Sequence, residues 1–410
     1  MPATDTHAPP PPSPPGLVVL GASVRAWAAS ARRAGWLVRG ADLFADRDLV
    51  AIAEAVAVPP EDYPEGLAAA AARFPPGPWC YCGALENAPD LVDALSVERP
   101  LAGCPGGVLR RVRSPRHLAE ALRPAGIGSP ETREDPLGLP TDGSWLVKPL
   151  RSAAGRGIAP WLGVAKPAAT ARDALSGARV WQARVAGVPV SASFIVDTGE
   201  ARLVGTTEQL VGVRSWHASP FAYCGSLDVA PDRLADSLRA QWTAIGDVLR
   251  QAFGLVGAIG VDAMRSPEGR LVVLEVNPRP TASMELVDRR TGGALARDHL
   301  EACGWPSPAH APDRGTGGTW AKAVLRAWGS LETSPRVTDV LDALSEAWTA
   351  TDGLAALADL PRTGTDVPAG APLLTLFAVG DGPEDARRRL ALRAAAVETA
   401  LARIASPRRA

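Results

Sequence analysis

The sequence predicts a mixed α/β and α+β protein: a doubly wound α/β domain, then an α+β domain, then a β-rich C-terminal segment. Three observations carry this. The chain opens with a β-α-β pattern between Gly16 and Asp42. Far downstream, Gly257 to Met264 and Arg270 to Val276 form two strand patterns joined by the turn Ser266-Pro267-Glu268-Gly269. A stretch rich in Pro, Gly, Asp and Thr, Ser307 to Gly318, then precedes a β pattern at Pro361 to Val379. With 410 residues, 46% of them hydrophobic, the chain is too long for one core and apolar enough for two or three.

The elements follow in order. Gly16 to Leu20 (GLVVL) reads as a short buried strand, turned by Gly21-Ala22-Ser23. Val24 to Ala34 has helical character and stops at Gly35, and Trp36 to Arg39 begins a second strand that ends near Asp42. Trp79 to Tyr81 is a further apolar strand after the breaker Pro75-Pro76-Gly77-Pro78. A helix is expected around Ser114 to Leu122, and strands at Ser144 to Pro149, Arg179 to Val185, Val190 to Val196 and Ala201 to Thr206. A long helix is expected from about Pro231 to Phe253, with Gly254 just past its end. Pro383 to Ile404 is an Ala- and Arg-loaded helix. The expected division is a disordered Pro-rich tail over residues 1–16 and domains over 17–108, 109–306 and 307–410.

The bulk numbers exclude some function classes. With 43 basic and 44 acidic residues the net charge is −1, so no long-range field draws in nucleic acid or an anionic membrane. No run of about 18 apolar residues is present, and the N-terminus lacks the basic and apolar regions of a secretory signal. A cytoplasmic protein is the expectation. The 5 cysteines make no disulfide framework and read as reduced, partly buried thiols. Lysine occurs only at Lys148, Lys166 and Lys322, while arginine fills every other basic position. A lysine that survives this bias marks a place where a compact point charge is needed.

Asp262, Glu275 and Asn277 with Arg279 form the strongest constellation. Glu275 and Asn277 are two apart and share a strand face, and the tight turn lets Asp262 come opposite them. Two carboxylates and an amide oxygen are hard ligands suited to Mg²⁺ (or Mn²⁺) completed by phosphate oxygens and water. The planar fork of Arg279 suits a carboxylate or a transferring phosphoryl group. The bland alternative is an ordinary hairpin with solvated acids. A second group is Lys148 with Ser152, Gly155 and Gly157, a strand lysine beside a loop whose small residues let backbone amides approach phosphate. This is not a Walker A loop, because the lysine precedes the glycines. The third is Gln182, Ala183, Arg184 and Val185, a strand entering a turn and able to offer backbone groups to an adenine edge. Less specific are Trp216, His217, Phe221, Tyr223 and Gly225 as a pocket wall, with His217 as a general base, and Thr281 and Ser283 as acceptor contacts, with Glu285 structural. The helix start at Gly21-Ala22-Ser23 is an anion-friendly place for a substrate carboxylate.

These residues resemble the ATP-grasp superfamily: a strand lysine, a small-residue loop, a hinge segment, and an acid followed by E-x-N-P-R. The resemblance implies an ATP-grasp fold with a Rossmann-like pre-ATP-grasp domain. It implies that Lys148 contacts the α/β phosphates of ATP, that the loop Ser152 to Gly157 closes over the β/γ phosphates, and that Gln182 to Val185 hold the adenine. Asp262, Glu275 and Asn277 would coordinate magnesium, and Arg279 would steady an acyl-phosphate. A narrower resemblance is to predicted ATP-dependent carboligases related to biotin carboxylase, linked to tetrahydromethanopterin and methanofuran one-carbon metabolism. It rests on Gly21 to Arg25 (GASVR), Ala41 to Asp48 (ADLFADRD), Tyr81 to Ala88 (YCGALENA), Val276 to Leu286 (VNPRPTASMEL) and Asp359 to Pro372 (DLPRTGTDVPAGAP). The chain departs from the superfamily pattern in having no lysine in Arg110 to Arg116; Arg113 stands where a phosphate-contacting lysine is common.

The expected activity is therefore an ATP-dependent ligase joining a small-molecule carboxylate to an amine through an acyl-phosphate, and a homodimer is compatible with it. Three rivals remain open at this point. One is an ATP-grasp carboxylase or kinase-like phosphotransferase, and another a non-catalytic ATP-binding protein. The third is a dinucleotide-binding oxidoreductase, with Asp42 at the ribose position after Gly21. Its G-x-G-x-x-G is broken by Ser23 and Ala26.

Overall fold

The computed structural model describes residues 14–163, 178–308, 315 and 317–404. Most of the Pro-rich tail, Lys166 and most of the linker at 307–318 lie outside the described residues.

The N-terminal sheet has four parallel strands, β1 (Gly16–Leu20), β2 (Leu37–Asp42), β3 (Glu54–Ala57) and β4 (Trp79–Tyr81), in the order β3-β2-β1-β4. β1 is apolar from Leu17 to Leu20 because both of its faces are covered, and all four side chains are buried. The chain runs outward from β1 to β2 and β3, then returns to place β4 on the other side. The gap between the carboxyl ends of β1 and β4 is thus a topological switch point, where open α/β sheets present ligand crevices.

A small antiparallel sheet follows: β5 (Thr132–Arg133), β6 (Trp145–Pro149), β7 (Ala159–Pro160) and β8 (Arg179–Ala183), in the order β5-β8-β6-β7. The remaining strands are β9 (Val188–Val196), β10 (Ala201–Val211), β11 (Tyr223–Val229), β12 (Gly257–Arg265), β13 (Leu271–Asn277), β14 (Thr319–Arg326), β15 (Leu331–Glu332), β16 (Leu357–Ala358), β17 (Asp366–Val367) and β18 (Pro372–Gly380). Eight of them make one antiparallel sheet, ordered β13-β12-β9-β10-β11-β14-β18-β16, while β15 and β17 pair separately. The C-terminal strands β14 and β18 therefore extend the sheet that carries the β12–β13 hairpin, through pairing of β14 with β11.

The helix expected from Pro231 begins at Asp236. Pro231–Arg233 is a separate 3₁₀ turn, and Leu234 and Ala235 take extended backbone between the two. Its end is as expected: Gly254 adopts the left-handed conformation at φ 66° and closes the last turn. Trp242, Ile245, Leu249 and Phe253, spaced three and four apart, bury one face of this helix. β10 continues five residues past the expected Thr206, to Val211. That extension delivers Gln209 to the hairpin. Among the described residues, no helix is long and apolar enough to cross a membrane.

Candidate active site

One cavity of ≈ 1580 Å³ is lined by the ends of β1 and β4 (Ala22, Gly83), the small sheet (Lys148), the hairpin (Asp262, Glu275) and the C-terminal segment (Asp359). Ligand pockets for one drug-sized molecule commonly run about 300–1,000 Å³, so this one has room for a nucleotide and a second molecule. The lysine at 148 and the acids near 270 thus open onto the same cleft, as the sequence reading requires.

The hairpin positions the acids by register. Asp262 lies opposite Glu275 and Gly260 opposite Asn277, so the three polar side chains share one face. Val261 and Val276 fill the other face and are buried. Glycine at 260 has a local reason: a Cβ there would stand 2.4 Å from Thr281 Cγ2. Asp262 accepts hydrogen bonds from Asn277 Nδ2 at 2.9 Å and Gln209 Nε2 at 2.8 Å. Burial, and then the charge of Glu275, push the Asp262 carboxyl up to about 7. Burial works in the same sense on Glu275, but Arg113, Lys148 and Arg279 outweigh it and hold that carboxyl below its usual range. Arg113 Nη1 stands 3.8 Å from Glu275 Oε2, and the Glu275 side chain is 40% exposed to the cleft.

These donors fit a hard divalent cation. Two facing carboxylates raise each other's cost of ionising, and a cation between them removes that cost. Among the described residues no group of three or more His, Cys, Asp and Glu side chains is arranged to hold a metal. The protein would therefore supply two carboxylates and the Asn277 amide, and phosphate oxygens and water the remainder, as Mg²⁺ prefers.

Lys148, on β6, donates to Gln182 Oε1 at 3.1 Å, and Gln182 Nε2 donates to Thr132 Oγ1 at 3.2 Å. Gln182 is 5% exposed and lines the cavity, where its side chain aims Lys148. The amides of Ala183 and Arg184 donate to the Glu131 and Ser144 carbonyls. Gln182, Ala183, Arg184 and Val185 all line the cavity.

The loop after β6 is held over the cleft from two sides. Asn87 Nδ2 donates to the Ser152 carbonyl at 3.1 Å, and the Tyr223 amide donates to the Ala154 carbonyl at 3.2 Å. The Ser152 hydroxyl donates to the Arg156 carbonyl at 2.5 Å. Gly155 is required by close approach: its φ is +76° and a Cβ would stand 1.8 Å from the Phe221 carbonyl oxygen. Gly157, at φ +75°, packs on Pro149 in the same way.

Arg279 is not a free fork. Its Nε and Nη2 donate to the two oxygens of Glu86 at 2.7 and 2.6 Å, and Nη2 also reaches Asn277 Oδ1 at 3.3 Å. Glu86 sits in the 3₁₀ turn Leu85–Asn87 after β4, with its side chain 1% exposed. Burial acts to raise its carboxyl, but the Arg279 charge outweighs this and holds it below the usual range. Glu86 is the site residue that sequence reasoning missed. Its signals were an acid in a short turn after a buried strand and its place within the segment Tyr81 to Ala88.

A second charged cluster lines the same cavity. The Arg25 guanidinium is paired with Glu285, and its Nε donates to Asp359 Oδ1 at 2.9 Å. Lys322 Nζ donates to Glu285 Oε2 at 2.9 Å and to the Ala282 carbonyl at 3.2 Å. Burial acts to raise the Glu285 carboxyl, yet Arg25 and then Lys322 hold it well below its usual range. Thr281 and Ser283 also line the cavity and bond each other at 3.0 Å.

Several expected residues fall elsewhere. His217 Nε2 lies 3.0 Å from Glu398 Oε1 and does not line the cavity, so it is not placed as a general base. Trp216 is buried in the C-terminal core, and Gly225 is set by its close pairing with the Lys322 backbone. Phe221 and Tyr223 do line the cavity. At the Gly21–Ser23 turn an acid of the chain already occupies the helix start: Asp42 accepts from the Val24 amide at 3.0 Å. Its other oxygen accepts from the Phe44 and Ala45 amides. With both oxygens engaged and no exposure, Asp42 has nothing left for a ribose.

Comparison with known proteins follows from this geometry. Residues 113–283 match the model of an ATP-grasp domain, ATP-grasp_3. No curated protein matches the sequence. Carboxyaminoimidazole ribonucleotide synthase from Aspergillus clavatus, solved with ATP, is similar in structure at TM-score 0.68 and 14% identity, covering 94% of this chain and 99% of that one. The biotin carboxylase domain of Hydrogenobacter thermophilus 2-oxoglutarate carboxylase, solved with MgADP, ADP and bicarbonate, gives TM-score 0.65 at 13% identity, covering 89% and 86%. The L-amino acid ligase from Bacillus licheniformis gives 0.63 at 14% identity, covering 93% and 97%. At such identities the likeness establishes the fold.

Proposed function

From the premise that this chain carries an ATP-grasp domain over residues 113–283, we propose that it is an ATP-dependent carboxylate–amine ligase. The observation that carries the reading is the meeting of Lys148, Asp262, Glu275 and Asn277 on one cavity large enough for two ligands. A carboxylate and an amine do not condense in water, so the acid is first converted to an acyl-phosphate by the γ-phosphate of ATP, releasing ADP. The amine then displaces phosphate to give the amide. Magnesium, when bound, neutralises charge on the phosphate oxygens.

The chain's own residues do the rest by positioning and electrostatics. Lys148, aimed by Gln182, supplies a point charge for the α/β phosphates. The loop from Ser152 to Gly157, tied to Asn87 and Tyr223, keeps water from the activated acid. Arg279, held by Glu86 and by the Pro280 carbonyl, offers its one unspent Nη1 N–H to the acyl-phosphate, and Arg113 serves where a lysine is common. The adenine lies against Arg184 and Val185.

A carboxylase reading is the alternative, favoured by the two structural relatives named for carboxyaminoimidazole ribonucleotide synthesis and biotin carboxylation. We place the ligase in tetrahydromethanopterin- or methanofuran-linked biosynthesis on the sequence segments that resemble that group. The test is an ADP-release screen over amino acids, carboxylates and pterin- or furan-type amines, with product mass recorded and Glu275→Ala as control. An amide product that disappears with the variant supports the ligase. A product heavier by carboxylate alone selects the alternative, and unchanged turnover in Glu275→Ala sinks the cation site.

A further inference from the structure

The turn after β2, from Asp42 to Asp48, borders the same cavity through Leu43, Phe44 and Asp46. Its acids are in unlike states. Asp42 accepts three backbone amides. Asp48 accepts the Asp359 and Leu360 amides, both at 2.9 Å. Across from it, Asp359 accepts from Arg25 and from the Thr375 hydroxyl. Asp46 alone is different. It is 7% exposed, and among the described residues its carboxylate makes no hydrogen bond and no ion pair.

A buried carboxylate with no donor is costly. Here the cost is compounded, because the groups around Asp46 are Asp359, Asp42 and Asp48, opposed by Arg25 alone. Burial first, and then those three acids, push the Asp46 carboxyl up to about 8. Arg25 does not relieve it, since that guanidinium is already divided between Glu285 and Asp359. Hydrogen bonds from Phe44 and Ala45 to Asp42 hold the turn, with Ala45 in the left-handed region at φ 44°. Asp46 thus faces the cavity with no partner of its own among the described residues.

The chemistry of a partner can be narrowed. A divalent metal needs several free oxygen ligands, and here only Asp46 has oxygens unspent; no metal-holding group of acids occurs among the described residues. An ammonium needs fewer acceptors. The Phe44 ring, 43% exposed, lines the same cavity and offers apolar cover for the carbon chain of an organic amine.

We propose that Asp46 binds an ammonium group carried by one of the substrates, so that this substrate is an organic cation held in the same cavity. This rests on the ligase reading for the word substrate, though the binding site itself does not need turnover. It also reverses the sign expected from the sequence, where the helix start suggested a carboxylate.

The test uses the full chain and Asp46→Asn, titrated with n-propylammonium chloride against sodium chloride of equal ionic strength, with n-propanol as the uncharged counterpart, all without nucleotide. Losing a charge-assisted hydrogen bond in a buried site predicts binding about 10- to 100-fold weaker in Asp46→Asn. Propanol should fail on both proteins. Because the carboxylate has no partner to lose, the variant should melt no lower than the parent. Equal affinity for the two proteins overturns the proposal, as does equal binding of propanol or no binding of the ammonium to the parent. Loss of all ADP release alongside charge-selective binding would instead sink the ligase reading and leave this site standing.

Discussion

The cavity is lined by two charged clusters, one around Arg25 and one on the hairpin, and they are built oppositely. In the Arg25 cluster, Glu285 is shared by two buried cations, and both Arg25 and Lys322 are bonded further, to Asp359 and to the Ala282 carbonyl. On the hairpin, Glu275 is 40% exposed, its nearest cation is 3.8 Å away, and it faces another carboxylate. Saturated charge gives geometry: such a group holds elements in register. Unsaturated charge awaits a ligand. Partner counts therefore separate the scaffold from the reacting centre more clearly than the mere presence of acids and bases does.

Breaking each cluster should produce different damage. The largest effect is expected from Glu275→Ala, with ADP release falling about 10²- to 10³-fold, the scale for losing one charge-stabilising group, while thermal unfolding stays near that of the parent. A large fall in melting temperature would mean that Glu275 is scaffold as well. Glu285→Ala should do the reverse. It strands Lys322 in a buried place and leaves Arg25 to Asp359, at a cost of about 3–5 kcal/mol, the range seen when one partner of a buried pair is removed. Calorimetry or denaturant titration should show it, and an unchanged midpoint would erase the distinction between the clusters.

Glu86→Gln tests the boundary between the two. It keeps the shape beside Arg279 but removes the charge that orients the fork. Turnover should drop about 10-fold, a loss on the order of one charge-assisted hydrogen bond, with little change in the KM for ATP. A change in KM alone would place Arg279 on the nucleotide instead.

The smallest effect concerns pH. Asp262 is raised to about 7 by burial and by Glu275. A raised carboxyl in the folded state binds a proton that the unfolded chain has released, so stability from this group is lost as pH rises from the ordinary carboxylate range through 7. Magnesium, which needs the ionised form, should bind more tightly over the same interval, by several-fold between pH 6 and 8. In Glu275→Gln the transition should move to lower pH. Magnesium affinity that is flat across this window would contradict the pairing.

Local regularities made much of the molecule readable in advance. Alternation and a four-residue turn predicted the β12–β13 hairpin, and with it the face shared by Asp262, Glu275 and Asn277. Apolar spacing and Gly254 predicted the end of the long helix, and the rarity of lysine drew attention to position 148. Each of these signals is short-range, written within a few residues by backbone geometry.

The partners of the charged groups were a different matter. Arg279 meets Glu86 across 193 positions, Arg25 meets Glu285 across 260, and Asp359 reaches Arg25 across 334. No local pattern encodes such pairs, because they exist only once two sheets and the C-terminal segment have packed around one cleft. That packing decided which arginine was already engaged and turned Gln182 toward Lys148. It also left Asp46 without a donor, because burial and distant neighbours, rather than residue type, set the state of a charge.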